Sequence, residues 1–380
     1  ATLNHLIARY GRDCVVGWPV EVWNEPNLAG FWQQADQAAY FHLFEVSFKA
    51  VKAVDPRFKV GGPAVCGGTD EIWIKAFLTF CREQKLEPDF ITRHHYNTDV
   101  PEPCGHYAYA NLTAAAPGLA NLHTTRTITD AFPEFKGLPI HLTEFNTAYI
   151  PNCPLHDTIR NAAYLAQQLS RLGEDHVSYS YWTFGDIFEE NGVPFTPFHG
   201  GFGLVANGCI PKPTFWVFKF YKLLLGASLL HRSDDAIFLR RPDGSYCGLV
   251  WNLSLQGQAP KRRISFALPA SNTGRYCLIR QTVDEQQANP LKLWHDLGEP
   301  ASLSADQLQL LRQAARPGIS SRTLCARDGR LKLDFCLDSN AVVYFDLRLS
   351  PLTPDWGYSY PKAVSGQSRL PAPAALTPDR

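Results

Sequence analysis

Short apolar segments alternate with helical segments through the first 225 residues of this chain, and this alternation most constrains its fold. Strands that are separated by helices form parallel sheets, because each helix returns the chain to the same end of the sheet. We therefore predict a parallel α/β structure, in which Asp157 caps the fourth of five helices. The predicted strands cover 18–24, 58–61, 88–94, 138–143 and 177–183, and these helices cover 37–54, 70–84, 119–131, 158–172 and 213–225.

The number of strand–helix units is smaller than a closed barrel requires. A TIM barrel, or (β/α)8 barrel, has eight units, and an open five-stranded sheet would expose its edges and apolar strand faces. The chain also contains no Met. We therefore expect that the intact protein has three further units before Ala1, that residues 1–226 supply about strands 4 to 8 of the barrel, and that the pocket of this chain alone is incomplete.

The sequence pattern changes near residue 228. Short segments with alternating apolar residues follow, separated by turn signals such as Pro242-Asp243-Gly244-Ser245. This pattern predicts an antiparallel β-sandwich. We therefore divide the chain into a partial catalytic barrel (1–226), a β-sandwich accessory domain (227–350) and a Pro-rich C-terminal tail (351–380) that lies on the surface or is disordered.

Composition excludes several classes of partner. The 36 basic residues balance the 36 acidic residues, and no dense Lys/Arg run is present, so we expect neither a nucleic-acid nor a membrane partner. No apolar stretch approaches the roughly 18 residues of a spanning helix. Ten cysteines are spread singly, without CxxC or a zinc-ligand spacing. Reduced, buried cysteines favour a cytoplasmic location, although disulfides in a secreted enzyme remain an alternative.

Two glutamates carry the strongest indication of chemistry. Glu25 in Trp-Asn-Glu-Pro-Asn and Glu144 in Leu-Thr-Glu-Phe-Asn each follow a short apolar segment. A (β/α) barrel places its reactive groups at the C-terminal ends of such strands. A single glutamate there is more often a helix cap or half of an ion pair, but two carboxylates suggest glycoside hydrolysis, in which one protonates the leaving oxygen and the other attacks or activates water.

These motifs resemble those of glycoside hydrolase family 39, which contains bacterial β-xylosidases and α-L-iduronidase. The resemblance covers most of the chain and is closer to the β-xylosidase branch. The motifs that carry it are EVWNEPN at 21–27, VGGP at 60–63, Arg93-His94 with Tyr96, LTEFNT at 142–147, SYWT at 180–183, FEE at 188–190, FHGGFGL at 198–204 and IPKP at 210–213.

The resemblance implies a reaction and a role for each glutamate. Glu25 would be the general acid/base and Glu144 the nucleophile of a retaining β-xylosidase, with a covalent xylosyl-enzyme intermediate. Their carboxyl groups should then lie ~5–5.5 Å apart. Asn24 would hold the sugar 2-hydroxyl. No metal or organic cofactor is implied, the substrate would be a xylo-oligosaccharide or another glycoside, and a homo-oligomer is compatible with the family.

Five further residues are candidates for substrate binding. Tyr96 could donate a hydrogen bond that keeps the nucleophile ionised, and His94 would lie beside the carboxylates, although a strand-end histidine is more often structural. Trp182 could form the floor on which the pyranose stacks, where a core position is the usual explanation for a tryptophan. Glu190, and less strongly Glu189, could accept hydrogen bonds from ring hydroxyls, with a solvated loop as the alternative.

The sequence alone leaves two alternative functions open. An α-L-iduronidase or arabinosidase would use the same carboxylates on another sugar, and an iduronidase needs a cation for the uronate, for which Arg93 is the candidate close to the motifs. A non-catalytic carbohydrate-binding protein, or one made inactive by truncation, is the alternative of another class. The intact Glu25 and Glu144 argue against loss of activity in the full protein.

Overall fold

The computed structural model describes residues 1–113, 115–187, 192, 196–270, 274–350 and 357–365. Its helices are α1 (Thr2–Tyr10), α2 (Arg12–Val15), α3 (Gln37–Val54), α4 (Asp70–Glu83), α5 (Ala115–Asp130), α6 (Ile159–Leu169), α7 (Pro213–Lys222), α8 (Pro290–Asp296), α9 (Ala305–Ala314) and α10 (Tyr360–Ser365), with 3-10 helices at Gln33–Ala35 and Pro154–Asp157. Its strands are β1 (Pro19–Glu21), β2 (Lys59–Val65), β3 (Phe90–Tyr96), β4 (Glu102–Cys104), β5 (Tyr107–Tyr109), β6 (Ile140–Asn146), β7 (Ser178–Tyr181), β8 (Val205–Ala206), β9 (Ile210–Pro211), β10 (Ser228–Arg232), β11 (Ala236–Arg240), β12 (Tyr246–Trp251), β13 (Arg262–Pro269), β14 (Arg275–Val283), β15 (Gly318–Cys325), β16 (Arg330–Leu337) and β17 (Val342–Leu349).

The first part of the chain contains the predicted parallel sheet. Its strands are ordered β1-β2-β3-β6-β7, and every neighbouring pair is parallel. Aromatic side chains of α3 and α4, including Phe44 and Phe77, pack in one cluster with Val60, Ile91 and Ile140 of the strands. Because all five strands run in the same direction, their C-terminal ends meet at one edge, and residues that follow different strands become neighbours there.

The VGGP motif allows α3 to pack closely on the sheet. A Cβ atom on Gly61 would lie 2.3 Å from the Phe90 ring, and one on Gly62 would lie 2.7 Å from the Tyr40 hydroxyl. That hydroxyl donates to the carbonyl oxygen of Val22 at 3.0 Å. The buried tyrosine therefore fixes the backbone near the start of the EVWNEPN motif. A larger side chain at Gly62 would displace this tyrosine, and one at Gly61 would displace Phe90.

Two strands of the parallel sheet end later than predicted, at the edge where Glu25 and Glu144 lie. We predicted that the third and fourth strands end at residues 94 and 143, but β3 continues to Tyr96 and β6 to Asn146. Glu144 therefore lies inside a strand rather than after it. The apolar pattern ends before the strand does, because backbone pairing continues where the side chains become polar.

The prediction that Asp157 caps the helix at 158–172 is wrong. Helix α6 begins after Thr158, whose hydroxyl accepts the Asn161 backbone N–H at 3.3 Å. Asp157 lies in the preceding 3-10 helix and forms a buried ion pair with Lys212 instead. Threonine and aspartate are both good helix caps, so the local sequence does not show which of the two caps the helix. The ion pair with Lys212 engages the Asp157 carboxylate and leaves Thr158 as the cap. Helix α7 begins at Pro213, as predicted.

The later part of the chain forms antiparallel sheets. A six-stranded sheet has the order β10-β11-β12-β17-β14-β15, and β13 pairs with β16. Side chains on one face of the larger sheet share a core with β13 and β16, and those on the other face share a core with α6 and α7. The central strands are buried on both faces, which explains why the 246–251 segment, YCGLVW, is almost continuously apolar.

Two strands and two helices between residues 228 and 325 were not predicted from the sequence. Strands β10 and β15 lack a clean apolar alternation because most of their residues are exposed. Helices α8 and α9 interrupt the predicted run of strands. Helix α9 had a readable start, since Ser304 and Gln307 form a capping box.

Three compositional expectations can be compared with the structure. The ten cysteines all lie in the described residues and are all free, but only Cys81, Cys153 and Cys247 are buried, so the expectation of general burial was wrong. The exposed cysteines occupy solvent-facing positions, as Cys336 does in β16. Most of the predicted 351–380 tail lies outside the described residues, and its described part contains α10. None of the described helices combines the length and apolarity that crossing a bilayer requires.

Candidate active site

Glu25 lies in a tight turn that follows β1. Its backbone N–H donates to the carbonyl oxygen of Ala64 in β2 at 3.1 Å. Trp23 and Glu25 have φ angles of 69° and 47°. For residues with a side chain, this left-handed conformation costs roughly 1 kcal/mol or more each. Asn27 anchors the turn, because its amide exchanges hydrogen bonds with the backbone of Cys66 at 3.0 and 3.2 Å. The carboxylate of Glu25 is therefore held by tertiary contacts.

Glu144 lies opposite His94 in the parallel pairing of β6 with β3. The Tyr96 hydroxyl donates to Oε1 of Glu144. His94 Nδ1 lies 2.7 Å from Oε1 of Glu25 and 3.6 Å from Oε2 of Glu144. The histidine thus lies between the two carboxylates, and the structure brings together the glutamates from the two motifs.

The spacing of the two carboxylates indicates which kind of displacement they can support. One oxygen of Glu25 and one oxygen of Glu144 lie within 4.8 Å of each other. An inverting pair stands ~6.5–9.5 Å apart, because a water molecule must fit between carboxylate and sugar, whereas a retaining pair stands ~5–5.5 Å apart. The observed separation suits direct attack by a carboxylate on the anomeric carbon.

Burial controls the protonation of the groups around the carboxylates. Burial, together with the charge of Glu144, raises the pKa of Tyr96 well above its usual value. Tyr96 therefore remains a hydrogen-bond donor across the working pH range, and a donated hydrogen bond favours the ionised form of the carboxylate. Burial, followed by the charge of Glu25, raises the pKa of Cys66 to about 12, so this thiol stays protonated.

The carboxylates open into a cavity of about 590 Å³. Five of the residues singled out from the sequence, Asn24, Glu25, Tyr96, Glu144 and Trp182, line it. Six other described lining residues had no role predicted from the sequence. They are Leu28, Cys66, Gly67, Thr98, Tyr149 and Phe202.

Two of these missed residues had a usable signal. Cys66 directly follows β2, so the rule that located Glu25 and Glu144 also applies to it. Phe202 lies in the FHGGFGL motif, which was recognised as a motif without a role.

Trp182 directly follows β7 and is held through its backbone. Its N–H donates to the carbonyl oxygen of Phe145 at 3.0 Å, and its carbonyl oxygen accepts the side-chain amide of Asn146 at 2.7 Å. Both partners belong to the same strand as Glu144, which couples the tryptophan to that carboxylate. The other two predicted sugar-binding residues, Glu189 and Glu190, lie outside the described residues, and their contacts stay predictions.

The Arg93 side chain does not line the cavity. Its guanidinium is almost completely buried, at 3.1 Å from the Asp70 carboxylate and 3.0 Å from the Thr125 hydroxyl. The described lining of the cavity contains neither Lys nor Arg. A sugar with a carboxylate would find no cationic partner among these residues, so the described wall suits a neutral sugar.

The trio of Glu25, His94 and Glu144 also has a spacing that a metal ion could use. Each side chain offers one ligand atom, and these atoms lie within 4.8 Å of one another. A pair of catalytic carboxylates bridged by a histidine has the same geometry, and His94 already lies at hydrogen-bond distance from Glu25. The expectation that the reaction needs no metal stays a prediction.

Comparison with known proteins identifies relatives over most of the chain. Residues 1–332 match the family Glycosyl hydrolases family 39. A β-xylosidase from Geobacillus stearothermophilus is 42% identical over 351 residues, which are 91% of this chain and 69% of that protein. The crystal structure of a GH39 enzyme from Xanthomonas axonopodis pv. citri is 31% identical, with a TM-score of 0.83 over 92% of this chain and 72% of that one. A monomeric β-xylosidase from Caulobacter crescentus CB15 is 31% identical, with a TM-score of 0.81 over 92% and 73%.

Proposed function

This chain belongs to glycosyl hydrolase family 39, and we propose that it is a β-xylosidase in which Glu25 is the general acid/base and Glu144 the nucleophile. The chain is a glycoside hydrolase of a retaining family. The observation that carries the role assignment is the approach of the two carboxylates to within 4.8 Å at one edge of the parallel sheet.

The proposed reaction has two displacements. In the first, the Glu144 carboxylate attacks the anomeric carbon while Glu25 gives its proton to the leaving oxygen, so that a glycosyl ester forms and the aglycone departs as an alcohol. In the second, Glu25 takes a proton from water, and the resulting hydroxide attacks the anomeric carbon and releases Glu144. Two inversions leave the configuration of the sugar unchanged.

The neighbours of the carboxylates support different roles for the two glutamates. Tyr96 donates a hydrogen bond to Glu144, which favours the charged carboxylate that a nucleophile needs. Glu25 lies in a strained turn beside His94, where its hydrogen bond with the imidazole can adjust as the proton leaves and returns. Asn24 and Trp182 are the proposed sugar contacts, through a hydrogen bond to the 2-hydroxyl and a stacking face.

The choice of xylose rests on two kinds of support. The β-xylosidase from Geobacillus stearothermophilus is 42% identical to this chain over 91% of its length. The described cavity wall also lacks a cation for a uronate, because Arg93 pairs with Asp70 elsewhere. We further propose that the parallel sheet in residues 1–226 supplies about strands 4 to 8 of a (β/α)8 barrel and that residues 227–350 form a β-sandwich, which the similar solved structures support.

A panel of aryl glycosides tests this assignment. We expect the β-D-xyloside to have the highest kcat/KM among xyloside, arabinoside and iduronide substrates, and we expect NMR to detect β-xylose as the first product. Faster hydrolysis of the iduronide or arabinoside would overturn the substrate assignment, and initial α-xylose would overturn the double displacement. Saturable xylose binding without hydrolysis of any glycoside would identify a non-catalytic carbohydrate-binding protein.

Removal of the Tyr96 hydroxyl should slow the reaction. A hydrogen bond to a charged group contributes about 1.5–3 kcal/mol, so Tyr96→Phe should lower kcat about 10- to 100-fold by destabilising the ionised Glu144. Steady-state kinetics on an aryl xyloside measure the change. Tyr109→Phe is the matched control, because Tyr109 is exposed in β5 and should leave kcat unchanged. A kcat for Tyr96→Phe within twofold of the wild-type value would contradict the proposed role.

A further inference from the structure

Lys212 forms a buried ion cluster that the proposed reaction does not use. Its Nζ lies 2.6 Å from Oδ1 of Asp157 and 2.6 Å from Oδ2 of Asp186, and all three side chains are at most 2% exposed. Burial alone would lower the pKa of Lys212, but the two aspartates raise it above its usual value, so the lysine remains charged. Burying three charged groups is costly unless their contacts compensate for the lost hydration. We call these three residues the lysine–aspartate cluster.

The cluster binds the backbone of the FHGGFGL loop, residues 198–204. Three polar groups from successive parts of this loop point at it. The Gly200 N–H donates to Asp157 at 2.8 Å, the Gly203 N–H donates to Asp186 at 2.6 Å, and Lys212 donates to the carbonyl oxygen of Gly201 at 2.8 Å. Hydrogen bonds with charged groups are stronger than those between neutral groups, so the cluster fixes the path of the loop.

The glycines of the loop are needed for this close approach. A Cβ atom at each would overlap its surroundings: at Gly200 it would lie 2.3 Å from the Cys153 carbonyl carbon, at Gly201 2.5 Å from the Asp186 carboxylate, and at Gly203 2.5 Å from the Gly185 carbonyl carbon. These contacts explain why the motif has glycine at these positions, and they connect the loop with the segment that follows β7.

The loop carries part of the wall of the active-site cavity. Phe202 lines the cavity and lies between the two anchored residues Gly201 and Gly203. The side-chain amide of Asn146 donates to the carbonyl oxygens of both Phe202 and Trp182, at 3.2 and 2.7 Å. The wall formed by Phe202 and Trp182 is therefore held by the catalytic strand on one side and by the lysine–aspartate cluster on the other.

We propose that Lys212 is a positioning residue for glycoside hydrolysis, because it holds Phe202 and Trp182 in place against the sugar without touching the substrate. This inference rests on the proposed function for the identity of that sugar. Contacts with the wall are present in the bound substrate as well as in the transition state. Their loss should therefore weaken binding more than it slows the chemical step.

Lys212→Met tests the inference, because it removes the charge and the contact with Gly201 while keeping a long side chain. We expect KM for an aryl xyloside and Ki for xylose each to rise about 10-fold, while kcat changes less than threefold. The matched control is Lys261→Met, since Lys261 forms an exposed ion pair with Asp338 at 2.8 Å. The control should leave KM, Ki and kcat unchanged. Circular dichroism and thermal melts establish that the variants are folded at the assay temperature.

Wild-type KM and Ki in a folded Lys212→Met variant would overturn the inference and leave the cluster a purely structural role. If this variant does not fold, Asp186→Asn is decisive. It retains an oxygen that can accept the Gly203 N–H and leaves Lys212 with Asp157 as a neutral pair. We expect its KM and Ki to rise at least threefold, and unchanged values would reject the inference.

The two proposals can fail separately. If the wild-type chain hydrolyses no aryl xyloside, the proposed function is wrong. An NMR titration with xylose still tests the positioning role in that case, because Lys212→Met should weaken xylose binding and Lys261→Met should not.

Discussion

Replacement of Glu144 by glycine is expected to abolish hydrolysis of aryl xylosides, and added azide is expected to restore turnover. The substitution removes the group that attacks the anomeric carbon, so kcat should fall on the order of 10⁴-fold or more. Azide is small enough to enter the space that the carboxylate leaves. Its attack from the Glu144 side of the sugar would invert the anomeric centre once, so NMR should identify α-xylosyl azide as the product.

Two comparisons make this result specific to Glu144. Glu102→Gly is the matched control, because Glu102 is exposed in β4, and it should retain wild-type kcat without any response to azide. The role assignment would be wrong if Glu144→Gly kept ordinary activity. It would also be wrong if azide produced the β-azide, because that product would place the attacking group on the opposite face of the sugar.

Replacement of Glu25 by alanine is expected to have an effect that depends on the leaving group. A general acid contributes about 10²- to 10⁴-fold, and the contribution is needed most where the aglycone is a poor leaving group. Glu25→Ala should therefore lose about that much kcat/KM on xylobiose or an alkyl xyloside. The loss should be much smaller on a dinitrophenyl xyloside, whose aglycone departs without a proton. Measurement of kcat/KM across a series of aryl leaving groups gives the dependence.

The pH profile provides an independent check of the same role. The wild-type rate should fall at alkaline pH as Glu25 loses its proton and at acid pH as Glu144 gains one, which gives a bell-shaped profile. Tyr96 does not limit the alkaline side, because burial raises its pKa well above the usual value. Glu25→Ala should lack the alkaline fall on an activated substrate. A uniform loss on all leaving groups with an unchanged profile would exclude Glu25 as the acid/base.

The periodicity and the motifs of the sequence were sufficient to predict the parallel sheet and to identify Glu25 and Glu144 as residues that meet at its edge. Alternating strands and helices predicted a parallel sheet, and the structure contains one with its strands in chain order apart from the β4–β5 hairpin. The EVWNEPN and LTEFNT motifs pointed to Glu25 and Glu144 because each contains a carboxylate at the end of an apolar run. In a parallel sheet such ends must meet, so local patterns determined a long-range approach.

Other features depend on pairings between residues far apart in the chain. The sequence does not show whether the Arg93 side chain faces the cavity or the core. In the structure it contacts Asp70 and is buried in the core. Asp157 was suited to capping a helix, but it pairs with Lys212, 55 residues later. No periodicity encodes which of two chemically suitable partners a charged group will take.

The sequence by itself determined the class of sheet and the edge of that sheet at which Glu25 and Glu144 meet, because these follow from repeating local patterns. Only the tertiary structure decided that His94 lies between the carboxylates, that Phe202 and Cys66 line the cavity and that three buried charges hold one wall. The physical reason is that the energies of buried charges and of close packing depend on the distances between segments, and those distances exist only after the strands have paired.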